Sequence, residues 1–305
     1  TVRAIREEIK SLGGEVRFNT QMTDLLVKNN TVCGVVAETN GANETIETAH
    51  VILSIGHSAR DTFKMLFEKS CVPMEPKPFS VGARIEHRAE TLDRAQYGDF
   101  AGDPALGAAD YKLNVHLENG RGVYTFCMCP GGYVVGAASE TGSVVTNGMS
   151  EYARDGQNSN AALLVGITPE DFGSAHPLAG IEFQRKIERA AFEAGGGAYS
   201  APCQRVGDLL ENRATTALNG SVQPTYRPGV VPGDLRTVLP DYICDSMAEG
   251  IRRMGRRLRG FDNPDALLTA PETRSSSPVR ILRNETRECP TVRGLFPCGE
   301  GAGYA

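Results

Sequence analysis

The stretch TVRGLFPCGEGAGYA, residues 291–305, decides how the rest of the chain is read. Its apolar run Leu295, Phe296, Pro297 and Cys298 feeds into Gly299, Glu300, Gly301, Ala302 and Gly303, the pattern of a buried strand that delivers its end to a ligand. Residues with little or no side chain let backbone N–H groups come close to that ligand. A helix starting just after the glycines would aim its positive end at an anion, and Glu300 would accept hydrogen bonds from sugar-like hydroxyls. The sequence stops at Ala305, before such a helix could form. An ordinary glycine-rich turn beside a surface glutamate is the plain alternative. The coincidence of apolar strand, acid and three glycines speaks against it.

That ending resembles the closing motif of the two-dinucleotide-binding-domain flavoproteins, in which a strand of small and apolar residues ends in Gly-Asp or Gly-Glu beside the flavin's ribityl-pyrophosphate region. Glu300 takes the acidic position. Further stretches are similar to one branch of these proteins, the NAD(P)/FAD-dependent oxidoreductases akin to HI-type bacterial flavoproteins, or FAD-dependent dehydrogenases. They are VILSIGHSARDTF (51–63), KPFSVGARIEH (77–87), YTFCMCPGGYVVGAASETG (124–142), HPLAGIEFQRKIERAAFEAGGG (176–197) and ETRSSSPVRI (272–281). The resemblance implies an FAD-dependent oxidoreductase of α/β class (α+β overall): part of a glutathione-reductase-like FAD/NAD(P)-binding domain carrying an inserted substrate domain of mixed sheet and helices. It also implies FAD as cofactor and a small-molecule substrate held between the two domains. Such proteins open on a strand, a GxGxxG turn and a helix, and no GxGxxG occurs between Thr1 and Ala305. The expectation is a piece of a longer protein in which FAD is absent or weakly held.

Composition narrows the classes. A chain of 305 residues is long enough for about two domains. Hydrophobic content of 40%, charged content of 23% and 34 glycines describe a globular protein rich in tight turns. A net charge of −5 speaks against a nucleic-acid surface, with Arg252, Arg253, Arg256, Arg257 and Arg259 as a local exception. Eight cysteines are too sparse for a disulfide scaffold, and neither a signal peptide nor a run of membrane length occurs, so a reduced, cytoplasmic protein is expected.

Along the chain, residues 1–12 read as a helix with Val2, Ile5, Ile9 and Leu12 on one face, and Gly13-Gly14 lead into EVRFNT (15–20) as a short strand. Residues 24–28 and 31–38 flank Asn29-Asn30 as a hairpin, and 45–46 add a third strand. AHVILSIG (49–56) reads as a strand buried on both faces, followed by a turn and a helix over 61–69. VPMEPKP (72–78) disfavours regular structure and marks a boundary. The predicted organisation is therefore 1–78 as the first part of an FAD-binding domain, 79–261 as the inserted domain, and 262–305 as the return. Within the insert, FSVGARIEH, YKLNVHLE, RGVYTFCMC and GGYVVGAAS read as strands, and 180–194 and 241–258 as helices.

The candidate cofactor-contacting residues are Gly299, Glu300, Gly301, Ala302, Gly303, Gly56, His57, Arg274 and Ser276. His57 either approaches the cofactor or caps the helix behind it. In ETRSSSPV (272–279), Arg274 and the serine hydroxyls bind a substrate carboxylate, sit near the flavin's pyrimidine edge, or form a solvated loop. Cys127 and Cys129 share one face of a regular strand and are expected to be buried free thiols, because a disulfide between them requires distorted geometry. The neighbouring 130–133 segment is an alternative approach to an isoalloxazine face. No metal-ligand spacing is present. His176, Glu182 and Asp155 are acid–base candidates that nothing brings together, so no catalytic residue is assigned. NAD(P)H remains open as electron donor, since a second dinucleotide fingerprint is missing. The rival reading is a non-catalytic ligand- or partner-binding module, carrying Tyr111 and Tyr133, with a structural flavin.

Overall fold

The computed structural model describes residues 1–304, which divide into two compact units, 1–75 with 279–304 and 76–278. The first unit opens with α1 (Val2–Ser11), then a meander of β1 (Thr20–Lys28), β2 (Thr31–Thr39) and β3 (Ala42–Glu47). All pairings in the meander are antiparallel. Its first turn is Asn29-Asn30 with φ of 51° and 57°, the left-handed pair a two-residue hairpin needs. β4 (Val51–Leu53), α2 (Arg60–Glu68) and β5 (Met74–Pro76) follow. The strand expected over 15–20 does not form; regular pairing begins only at Thr20, where Thr39 supplies a partner.

The second unit contains a seven-stranded sheet. In chain order its elements are β6 (Phe79–Arg88), α3 (Ala89–Tyr97), β7 (Asn114–His116), β8 (Gly122–Cys129), the hairpin β9 (Gly132–Gly136) and β10 (Thr146–Ser150), and β11 (Asn158–Ile167). α4 (Ala179–Ala194), β12 (Ala201–Arg205), α5 (Val206–Leu210), β13 (Val230–Pro232), α6 (Asp241–Gly255) and β14 (Leu267–Glu272) complete it. Strand order is β13-β12-β14-β6-β11-β8-β7, with the β9/β10 hairpin as a separate ribbon. Only β12 and β13 pair in parallel. Sequence reading places the return to the first unit at residue 262, whereas the structure keeps 262–278 in the second unit. The reason is that β14 lies between β12 and β6, near the middle of the sheet.

Alternation explains how the sheet is built. Val81, Ala83 and Ile85 of β6 pair with Val165, Leu163 and Ala161 of β11, and all six are fully buried. They share one apolar core with Ile243, Met247, Ile251 and Met254 of α6. Each Val, Leu, Ile and Met side chain among them contributes about 1.5–3 kcal/mol by leaving water. The intervening residues Arg84 and Glu86 stand across from Ala162 and Asn160, so the other side of the same strands is polar, yet equally buried. Gly148 of β10 lies against it: a Cβ there would come within 2.0 Å of Arg84 Nη2.

The β7 edge of the sheet is closed by arginines of the α6 end. Arg257 Nη1 donates to Asn114 O (2.7 Å) and Arg253 Nη1 to His116 O (3.3 Å). These are alternate carbonyls of a strand that has only β8 as a neighbour. Part of the arginine run that stood out as a local exception to the acidic balance thus satisfies backbone acceptors.

The chain re-enters the first unit through β15 (Val279–Ile281), paired with β5, and β16 (Leu295–Pro297), paired in parallel with β4. The expectation that residues 49–56 are buried on both faces is corrected: the strand is three residues long and Ile52 is 73% exposed. α1 likewise buries no residue, and Leu12 is 78% exposed. No second layer covers these side chains among the described residues. No helix among them is long and apolar enough to cross a membrane.

Candidate functional site

The two parallel strands of the first unit end side by side. Leu295, Phe296 and Pro297 stand beside Val51, Ile52 and Leu53, and Cys298 N donates to Leu53 O (3.1 Å) as the last rung. Beyond that rung each chain turns on a glycine with positive φ, Gly56 at 65° and Gly299 at 75°. The carboxyl ends of parallel strands are where open α/β sheets receive ligands. Here the two turns touch backbone to backbone, for a Cβ on Gly301 would lie 2.3 Å from Gly56 O. At Gly56 and Gly299 an added Cβ would meet nothing within 4 Å, so both turns face open space.

Across that contact, His57 Nδ1 and Glu300 Oε2 are 2.5 Å apart. Both side chains are partly buried, at 20% and 34% exposure, and the pair is charge-assisted when the imidazole is protonated. His57 therefore does not cap α2, which starts after Ala59 without any side-chain cap. Gly303 N donates to Glu300 O (2.9 Å) and Tyr304 N to Gly299 O (3.3 Å), folding the tail into compact turns under the acid. Cys298 and Ser54, the residues next along each strand, share a hydrogen bond between Sγ and Oγ. Gly299, Glu300, Gly301, Ala302, Gly303, Gly56 and His57 are thus brought together; Ala305 lies outside the described residues. The arrangement fits a nucleotide-bearing cofactor such as FAD, whose hydroxyls a carboxylate accepts and whose backbone-hugging parts need side-chain-free turns.

Arg274 and Ser276 belong to the second unit. Arg274 is not a solvated cation awaiting a carboxylate ligand. Its guanidinium holds Glu188 through Nε (3.1 Å) and Nη2 (3.0 Å) and donates to Ser139 Oγ, while Thr273 Oγ1 adds a 2.7 Å bond to the same carboxylate. Glu188 is completely buried, so the pair anchors α4 to the segment after β14. Ser276 lines a cavity of about 570 Å³ with Ser80, Tyr124 and Arg121. In that cavity Arg121 is held by both oxygens of Asp171 (2.7 and 3.0 Å), an arrangement that pushes the Asp171 carboxyl below its usual range.

Two features escaped sequence reading. On the polar side of the sheet, Arg84, itself fully buried, reaches Glu272 (3.1 Å), Asn160 Oδ1 (2.7 and 3.0 Å) and Cys127 O (2.8 Å). The alternation of FSVGARIEH signalled that side, but not its burial. Secondly, Cys127 is exposed rather than buried and sits at φ 41°. Among the described residues no group of three or more His, Cys, Asp and Glu side chains is arranged to hold a metal ion.

Comparison with known proteins agrees with the flavin reading at a coarse level. A relative 48% identical over all 305 residues is an uncharacterised protein of Clostridium beijerinckii. This chain spans 56% of that relative's length. A solved structure of the flavin-dependent brominase Bmp2, a triple mutant, aligns over 56% of this chain and 33% of its own at 11% identity, with a TM-score of 0.29, too low to relate the folds. The model of the family described as FAD-dependent protein, C-terminal domain-like, matches residues 78–275, most of the second unit. The chain therefore belongs to that family of FAD-dependent proteins.

Proposed function

We propose that this chain forms part of an FAD-dependent oxidoreductase of the dehydrogenase type, whose first unit holds the flavin nucleotide at the paired strand ends and whose second unit serves substrate binding. The observation that carries the reading is the His57–Glu300 pair, 2.5 Å apart, standing where two parallel strands finish and two glycine turns open. Glu300 accepts hydrogen bonds from the cofactor's sugar-like hydroxyls. His57 fixes the carboxylate's orientation and tempers its charge beside a phosphate-bearing ligand. Gly56 and Gly299 leave room for the ligand's close approach. Bound FAD would supply two-electron transfer to or from a small-molecule substrate, with NAD(P)H as the candidate electron donor. Eight unpaired cysteines are consistent with a reducing cytoplasm.

The test is FAD affinity of the full-length protein, measured by flavin fluorescence, with Glu300→Ala and His57→Ala. Glu300→Ala weakens binding by roughly tenfold or more, the loss of about 1.5–3 kcal/mol from hydrogen bonds to a charged group. His57→Ala has the smaller effect. Folded Glu300→Ala protein with unaltered FAD affinity would overturn the reading.

A further inference from the structure

The second unit holds a pair of thiols in a setting that no part of the flavin reading uses. β8 pairs with β11 as Phe126 to Ala162 and then Cys129 to Asn160, so Cys127 and Met128 together oppose the single residue Ala161. This is a β-bulge, and its first residue takes positive φ, a position that glycine occupies at least cost. Here it is Cys127, exposed, at φ 41°. The extra residue also reverses the alternation: Cys129 shares a face with Phe126 and meets the buried Arg84. Arg84 Nη2 donates to Cys127 O (2.8 Å) and to Cys129 Sγ (3.5 Å), and the Cys129 thiol bends back to donate to Cys127 O (3.3 Å).

Two further donors have no partner. Asn160, fully buried and directly across the ladder from Cys129, has its Oδ1 taken by Arg84, while its Nδ2 makes no hydrogen bond. The Tyr111 hydroxyl is also buried and unpartnered, and it lies close enough for Arg84 and Cys129 to act on its ionisation. A fully buried N–H without an acceptor is costly unless an acceptor arrives during function. A sulfur carrying negative charge at Cys129 is such an acceptor. Burial holds both thiols above their ordinary range, opposed by Arg84, so they rest protonated rather than as free thiolates.

We propose that Cys127 and Cys129 form a redox-active pair that exchanges electrons with low-molecular-weight disulfides. Cys127, the exposed thiol, loses its proton to solvent and attacks one sulfur of the external disulfide. The other half leaves as a thiolate and is protonated by water. Cys129 then loses its proton to solvent, its negative charge met by Arg84, Asn160 and Tyr111, and attacks the Cys127 sulfur, expelling the second thiolate, which water protonates. Two protein thiols become one internal disulfide and one external disulfide becomes two thiols, a two-electron transfer.

The test uses oxidised glutathione on the full-length protein, followed by acid quench, alkylation and tryptic mapping. Residues 122–154, bounded by Arg121 and Arg154, contain these two cysteines and no other, so the remaining cysteines do not interfere. The expected product is this peptide lacking two hydrogens, with the internal disulfide exceeding the glutathione adduct by about tenfold. Cys129→Ser should instead accumulate the mixed disulfide at Cys127, and Cys127→Ser should react at least about tenfold more slowly. A stable glutathione adduct on the unaltered peptide, or no reaction at either cysteine after prolonged exposure, would overturn the proposal.

Discussion

Gly301 and Gly56 meet backbone against backbone, with the space for a Cβ on Gly301 already filled by Gly56 O at 2.3 Å and Gly56 Cα at 2.7 Å. Because the obstacle is main chain from the neighbouring turn, no rotamer change relieves it. Gly301→Ala should destabilise the first unit by about 2 kcal/mol, within the range of point changes that force a backbone shift. Equilibrium urea unfolding followed by far-UV circular dichroism checks this. An unchanged midpoint would mean that the two turns do not touch.

Arg84→Met removes the cation from a wholly buried cluster and leaves Glu272 behind. Breaking a buried pair from one side costs about 3–5 kcal/mol, because the remaining charge has no compensation. Arg84→Met combined with Glu272→Leu should cost less than Arg84→Met alone. The comparison is a double-mutant cycle in urea, and a single-variant loss below about 1 kcal/mol would refute it.

His87 makes the second unit sensitive to acid. Its Nε2 bonds to Phe261 O at 2.8 Å, its ring is fully buried, and burial pushes its pKa down from 6.5 to about 4. As pH falls below 6.5, the unfolded chain takes up a proton that the folded chain refuses until about pH 4. Stability is therefore kept above that window and lost through it, by about 3 kcal/mol for a shift of this size. His87→Phe should flatten this part of the stability–pH curve. Chemical denaturation of both proteins across the window decides the matter, and parallel curves would exclude His87 as the cause.

Cys127→Gly should stabilise the reduced protein by roughly 1 kcal/mol, since glycine adopts positive φ without the Cβ penalty. The gain is measured by urea unfolding under reducing conditions. A loss of stability would show that the cysteine side chain contributes packing that outweighs its backbone strain.

Much of the first unit was legible because its signals are local. Asn29-Asn30 specify a turn within four residues, and the apolar run ending at Cys298 followed by glycines specifies a strand end. The partner of that strand end was not legible: Glu300 meets His57 across 243 positions of sequence, and nothing near either residue announces the other. The tail of the second unit was misjudged for a related reason. ALLTAPE reads as an apolar strand wherever it pairs, and only the sheet order assigns it to β6 and β12. Arg274 illustrates a different limit. An arginine among serines has the composition of a ligand loop, yet Glu188, 86 positions away, claims its guanidinium. Cys127 escaped detection because strand periodicity presumes an unbroken ladder, and one inserted residue turns every later side chain over.

The guanidinium groups of Arg253 and Arg257 on the carbonyls of β7 have a bearing on how this protein behaves when concentrated. A sheet margin with vacant acceptors recruits the margin of another molecule, and stacking of that kind ends in fibres. A guanidinium offers several donors in a fixed fork, so Arg253 covers a carbonyl of the strand while it also holds Glu249. The chain thus carries a guard against self-templating on this margin, supplied by α6 and the turn that follows it.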